Sequence, residues 1–404
     1  MEEKEIQNPW KIRERIPSPR ALPVVLSALA LLLSCLQIAQ PYGELLSLVA
    51  MGLLFAYAVL MARTPGVVVP LLLTAVIPTL FGFTFSVSAF LLSTVMGVAS
   101  CAFLLTSVRR SFLFLLLPVG AFGIAWALTG DPLSACAAFA ILPAALLLAF
   151  ATRRGEARTS AIAFTAAGLA AVGGLVILIP LLLAAREAGT DVGSYLQNLC
   201  FEAVTTVRDE LFALIEADTE LQTEAMQEQI RLLKETLTDA GIREMLNTVI
   251  LPLLPGFLLG LAAILSFLAQ MLLTASYRIS GMSAVVTKES CQLLMSIPSA
   301  ALYMVAFFIF LFAPSGGMVW AVAGNVFLML LPAFLLVGAR SLTVLFFGAR
   351  GGRMILLVSV LALFCCNFLG ALMVLALWGA SGTLLTPLRG WLRRKMDSQN
   401  GPRE

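Results

Sequence analysis

The chain has 404 residues, 60% of them hydrophobic and 12% charged, with a formal net charge of +3, seven cysteines and no histidine. Soluble domains average about 45–50% apolar and about 25% charged residues, so this composition excludes an ordinary soluble protein. The missing histidine removes the commonest metal ligand and general base, and the cysteines form no C-x-x-C pair, which speaks against a zinc site or a disulfide framework.

A membrane span needs roughly 20 consecutive apolar residues. In chain order such runs predict helices near 21–40, 44–62, 66–82, 87–107, 111–129, 132–152 and 160–185. A polar stretch follows at 186–247, and further spans are predicted near 248–274, 298–313, 317–338 and 354–380. The first run is too long for a signal-peptide core of about 7–15 residues, and no small-x-small cleavage site precedes Pro41, so it reads as a retained helix. The expected fold class is all-α: a polytopic transmembrane helix bundle of about eleven spans with one external amphipathic helical insertion. The chain then divides into a basic cytoplasmic tail (1–20), an N-terminal bundle (21–185), an acidic extracytoplasmic segment (186–247), a C-terminal bundle (248–380) and a basic tail (381–404).

Lys and Arg flanking spans stay on the cytoplasmic side, which orients the chain. Lys4, Lys11, Arg13, Arg15 and Arg20 place the N-terminus on the cytoplasmic side of the membrane. Arg63, Arg109, Arg110, Arg153, Arg154, Arg158, Arg278, Lys288, Arg340, Arg350 and Arg353 then fall on that same side. The opposite connections hold Glu44, Asp131, the uncharged turn at 314–317 and the 186–247 stretch, whose 13 acidic and 5 basic residues give −8 and leave +11 for the rest. Parity puts the tail with Arg389, Arg393, Arg394 and Lys395 outside, against its charge. Either one run does not fully cross, the 16 residues from Pro298 to Ala313 being the shortest, or Ser341 to Ala349 forms a half-span, or the tail tolerates that side.

Within 186–247, Val204, Val207, Leu211 and Leu214 recur at helical spacing, as do Met226, Ile230, Leu233 and Leu237. Thr219 with Gln222 forms a capping-box pattern, and Gly241 is the expected stop of the second helix. The two stripes are expected to pack on each other and on the bundle as a lid; the alternative is a pair of helices that binds a partner.

No Asp or Glu lies deep in a predicted span, and an ionisable group there costs roughly 2.5–3.5 kcal/mol on insertion scales, so a proton relay is not expected. No P-loop, paired catalytic carboxylates, Ser-His-Asp set or H-E-x-x-H occurs. The chain is therefore expected not to be an enzyme, with no cofactor, metal or nucleic-acid partner. The intramembrane polar residues are Gln37, Ser93, Thr94, Ser100, Gln270, Asn325 and Asn367. Each is accounted for by interhelical hydrogen bonding, worth about 0.6 kcal/mol on average. Together, Asn325, Asn367, Gln270, Ser93, Thr94 and Ser100 are candidates for lining a polar cavity. Pro252, Pro255 and Pro332 interrupt predicted spans and free backbone carbonyls, while Gly256 and Gly260 form a GxxxG pair suited to close helix packing.

An amphipathic helix leads into Leu251-Pro252-Leu253-Leu254-Pro255-Gly256; Ser296-Ile297-Pro298 opens the next span, Gly324-Asn325 and Gly338 follow, and a last helix ends at Leu388-Arg389. In this order of features, over about 240–395, the chain resembles DUF2232, the YybS-like bacterial membrane proteins, whose activity is not established. The front part is also similar to the S components of energy-coupling-factor transporters. That likeness implies a small-residue face at Ala30 and Ser34 packing on a coupling subunit. Two functions are carried forward. One is a transport-related protein binding a small or lipid-like solute within the bundle, without its own ATPase. The other is a membrane scaffold or assembly factor that engages a membrane protein partner through the 186–247 helices.

Overall fold

The structure, a computed structural model, describes residues 49, 52–53, 55–56, 59, 87–107, 127, 132–217, 228, 230–232, 234–235, 237–280, 295–347 and 368–386. Every regular element among them is helical, and no strand occurs among them. In chain order they are α1 (Val87–Ser107), α2 (Pro132–Arg154), α3 (Arg158–Glu187), α4 (Val192–Ala217), α5 (Asp239–Met245), a π turn (Leu246–Ile250), α6 (Leu251–Ile279), α7 (Ile297–Phe312), α8 (Met318–Phe347) and α9 (Phe368–Leu384). Among the described residues three continuous helices, Arg158–Glu187, Asp239–Ile279 and Met318–Ser341, are long and apolar enough to cross a membrane. The predicted spans near 21–40, 66–82 and, apart from Ala127, 111–129, with Ala30, Ser34, Gln37 and Asn367, lie outside the described residues.

The chain forms two compact units, 1–176 with 261–294 and 177–260 with 295–404, so α3 and α6 each run from one unit into the other. In the first, α1 packs along α2. Small residues let the helices approach: Ala99 and Ala102 of α1, Ala144 and Ala145 of α2, Ala161 of α3 and Ala269 of α6 are buried around Phe103, Leu148 and Leu273. With lipid tails as apolar as leucine, such packing and a few polar contacts hold membrane helices together. Tyr277 donates its hydroxyl proton to Thr106 Oγ1, the Arg153 guanidinium donates to the Leu105 carbonyl, and Arg158 Nε donates to Gln270 Oε1 at 2.6 Å.

In the second unit α8 packs against both α7 and α9. Tyr303 of α7 stacks against Phe327 and Phe334 of α8, with ring centroids 5.4 and 4.8 Å apart. Ser296 caps α7 by accepting from Ser299 N, with Pro298 in the first turn where its missing N–H costs nothing. Gly316, at φ 81°, supplies the left-handed residue that the short turn between α7 and α8 requires.

The described part of the polar stretch corrects one expectation. Gly241 does not stop a helix. It lies in the first turn of α5, where its N–H donates to Oγ1 of Thr238, the N-cap residue. A capped start so close to a glycine reads the same as a helix end in sequence, and the threonine decides it.

Candidate functional site

Asn325 sits about two turns into α8 and reaches α6. Its Nδ2 donates to the Pro252 carbonyl at 2.7 Å and to the Ala321 carbonyl of its own helix at 2.8 Å, and its Oδ1 accepts from Gly256 N at 2.5 Å. The Pro252 carbonyl and the Gly256 N–H are the acceptor and donor of one i→i−4 rung. The neighbouring rung is absent by chemistry, because Pro255 has no N–H for the Leu251 carbonyl. One carboxamide thus serves both polar groups of the turn that the prolines weaken.

The glycines make this approach achievable. A Cβ on Gly256 would come 2.5 Å from Asn325 Cα, and one on Gly260 would come 2.8 Å from the Leu328 carbonyl oxygen. Gly324 takes the Leu253 side chain into the space that its own Cβ would fill. The GxxxG pair and Asn325 therefore form one contact, in which close backbone approach brings the amide to the ladder.

The other candidate polar residues lie elsewhere. Thr94, Ser100 and Gln270 are buried in the first unit, whereas Asn325 belongs to the second. Ser93 is on α1, with its side chain outside the described residues. Gln270 accepts from Arg158, whose guanidinium also stands 4.9 Å from the Phe267 ring centroid. Ser100 Oγ is buried with no hydrogen-bond partner, and so is the Tyr303 hydroxyl. The sequence did not point to Arg158, Tyr277 or Thr106 as polar partners: Arg158 reads as a loop charge, and the other two as ordinary span-edge residues.

Outside the spans, α4 presents two different faces. Phe201, Val204, Arg208, Phe212 and Ile215 are half-buried. The Arg243 guanidinium lies 4.0 Å from the Phe201 ring, and Lys234 Nζ lies 5.4 Å from that of Phe212. Arg208 is paired with Asp209 at 2.8 Å and Asp239 at 2.6 Å and donates to the Leu237 carbonyl at 3.1 Å. Hydrogen bonds to Asp209 and then Asp239 raise its pKa further. The helix starts at Asp191, whose Oδ2 accepts from Ser194 N at 2.9 Å; bonding to Ser194 lowers the Asp191 pKa.

The opposite face of α4 corrects the first stripe of the expected lid, whereas Ile230 and Leu237 of the second stripe are half-buried. Leu199, Val207, Leu211 and Leu214 are 48, 64, 42 and 69% exposed, so of the predicted stripe only Val204 turns inward. At 100° per residue the exposed four fall within one arc of about 120°, which also holds Glu210, with Glu202 and Asp209 along one edge. Met226 and Leu233 of the second predicted stripe, and the Thr219–Gln222 box, fall outside the described residues. Among the described residues no group of three or more His, Cys, Asp or Glu could hold a metal ion. No family model, no curated protein and no solved structure matches the chain.

Proposed function

We propose that this protein is a multi-pass scaffold or assembly factor of the bacterial cell membrane that engages a protein partner through α4, and that it is not an enzyme. The observation that carries this reading is the exposed Leu199–Val207–Leu211–Leu214 strip on a helix whose other face is already packed and ion-paired. Burying such a strip is worth about 25 cal/mol per Å², and the acidic edge selects what can bury it. A second copy of α4 would bring Glu202, Asp209 and Glu210 against like charges, and anionic lipid is repelled in the same way. The fitting partner is an apolar protein face edged with Lys or Arg. The sequence supports about eleven spans with a cytoplasmic N-terminus, and hence an extracytoplasmic α4. The likeness to the YybS-like proteins rests on the sequence features given above.

The test is native mass spectrometry of the gently solubilised protein beside Leu211→Asp/Leu214→Asp. The expected result is a stoichiometric protein complex lost in the double variant, with the thermal midpoint unchanged because neither side chain is packed. A complex that survives the substitutions overturns the reading. So does a large fall in the midpoint.

A second reading, a small solute held within the membrane helices, draws on the Ser100 hydroxyl, buried on α1 without a partner. The same spectra test it. A copurified small molecule displaced by Ser100→Ala favours it, and bare protein overturns it.

A further inference from the structure

We infer that Asn325 is a latch on a hinge at Pro252–Gly256, and that it fixes the direction in which the external helices leave α6. Everything the inference needs lies in one compact unit. Pro252 and Pro255 each withhold a ladder hydrogen from one helical turn, and the turn immediately before them is a π turn, Leu246–Ile250, closed by Leu251 N donating to the Leu246 carbonyl. One π turn and two missing ladder hydrogens within eleven residues make this the compliant section of an otherwise regular helix.

The load on that section is the external pair. α5 and the π turn pack against α4, and Arg208–Asp239 and Arg243–Phe201 tie the two together. α4, joined at its other end to α3 through residues 188–191, is thereby coupled to the angle the chain takes between Ile250 and Gly256. On the other side of the joint, Gly260 is seated against Leu328 and Pro332 of α8. Asn325 closes the joint from the seated side: it holds the Pro252 carbonyl and the Gly256 N–H, the two ends of the weak rung, with one planar amide. The third bond, to Ala321, fixes the amide to its own helix and leaves it no free donor. With the amide in place the rung is bridged and the angle is set. With it withdrawn, the turn is left with the Pro252–Gly256 rung alone and no neighbouring rung at Leu251, and the outer arm swings. This inference is independent of what α4 binds.

The experiment is a pulsed-EPR distance measurement on the full chain in lipid nanodiscs, with native cysteines replaced and spin labels at Glu202 of α4 and Val319 of α8, both exposed. A single narrow distance is expected with Asn325 present, and a broadened or two-component distribution in Asn325→Leu. Adding Pro252→Ala and Pro255→Ala to that variant restores the missing N–H groups, so the ladder no longer needs an outside amide and the narrow distance returns. Asn325→Leu as narrow as the parent overturns the latch. A distribution that stays broad after the prolines are replaced also overturns it, because Asn325 would then act through packing alone. If Asn325→Leu does not accumulate as folded protein, the triple variant decides: recovery supports the latch and continued failure overturns it.

Discussion

Gly338 of α8 and Gly379 of α9 meet so closely that a Cβ on either would fall on the other helix's backbone, on the Leu375 carbonyl in one case and the Phe334 carbonyl in the other. Backbone cannot yield as a side-chain tip can. Gly338→Ala or Gly379→Ala should therefore force the helices apart and destabilise the protein by about 1–3 kcal/mol, the usual range for overpacking. Gly174→Ala on α3, where nothing lies within 4 Å of the added carbon, should not lower the midpoint. Thermal melts of the three variants in one detergent check this.

Two buried tyrosines should respond with opposite sign to loss of the hydroxyl. Tyr303 buries its hydroxyl unpaired, so Tyr303→Phe removes an unsatisfied group and should stabilise by about 1–3 kcal/mol. The Tyr277 hydroxyl bonds Thr106, so Tyr277→Phe should cost roughly 0.5–1.5 kcal/mol. Both keep the ring and its packing, and the two midpoints moving in the same direction would contradict the hydrogen-bond assignment.

Gln270 accepts from a charged guanidinium at a buried position, and hydrogen bonds to charged groups contribute about 1.5–3 kcal/mol. Gln270→Leu should lose an amount in that range, whereas Gln270→Glu keeps an acceptor for Arg158 and should retain the parent midpoint. Equal losses in both variants would assign the site to shape alone.

The Asp191 cap predicts a pH dependence at the start of α4. Its pKa is lowered in the fold, by the Ser194 bonds first, so its contribution is present above the unfolded carboxylate pKa, about 3.9, and disappears as pH falls through the lower folded value. Hydrogen exchange over the first turn of α4, corrected for intrinsic rate, should therefore rise between pH 6 and pH 3 in the parent chain. Asp191→Asn, which still accepts from Ser194, should remove that rise.

Helix type and position along the chain were legible because they rest on local quantities. Apolar run length placed α1 at 87–107 and α7 near 298–313, against Val87–Ser107 and Ile297–Phe312 in the structure. The GxxxG pair and the prolines around 252–256 stood out as residues that alter a helix wherever they occur. What they do together was not legible, because it depends on Asn325, about 70 residues further along the chain, arriving opposite one rung. The α4 stripe was visible as a period, but a period does not say which side of an apolar arc is covered. Arg208 and Phe201 settle that by drawing Asp239 and Arg243 onto one flank, a choice made by tertiary contact. Gly241 misled for a related reason, since a glycine near a helix boundary is the same residue at either end.

The π turn at Leu246–Ile250 also bears on how this helix tolerates insertion and deletion. A π turn closes its hydrogen bonds over one residue more than an α turn, so it absorbs a single extra residue without changing the phase of the helix on either side. Deleting Val249 would convert it to an ordinary turn while leaving Ile242 and Gly256 on the faces they now occupy. The same deletion at Leu258 would rotate all that follows by about 100° and turn Gly260 away from Leu328. Between the polar segment and the membrane helix, this one turn is where chain length can vary while both faces stay in phase.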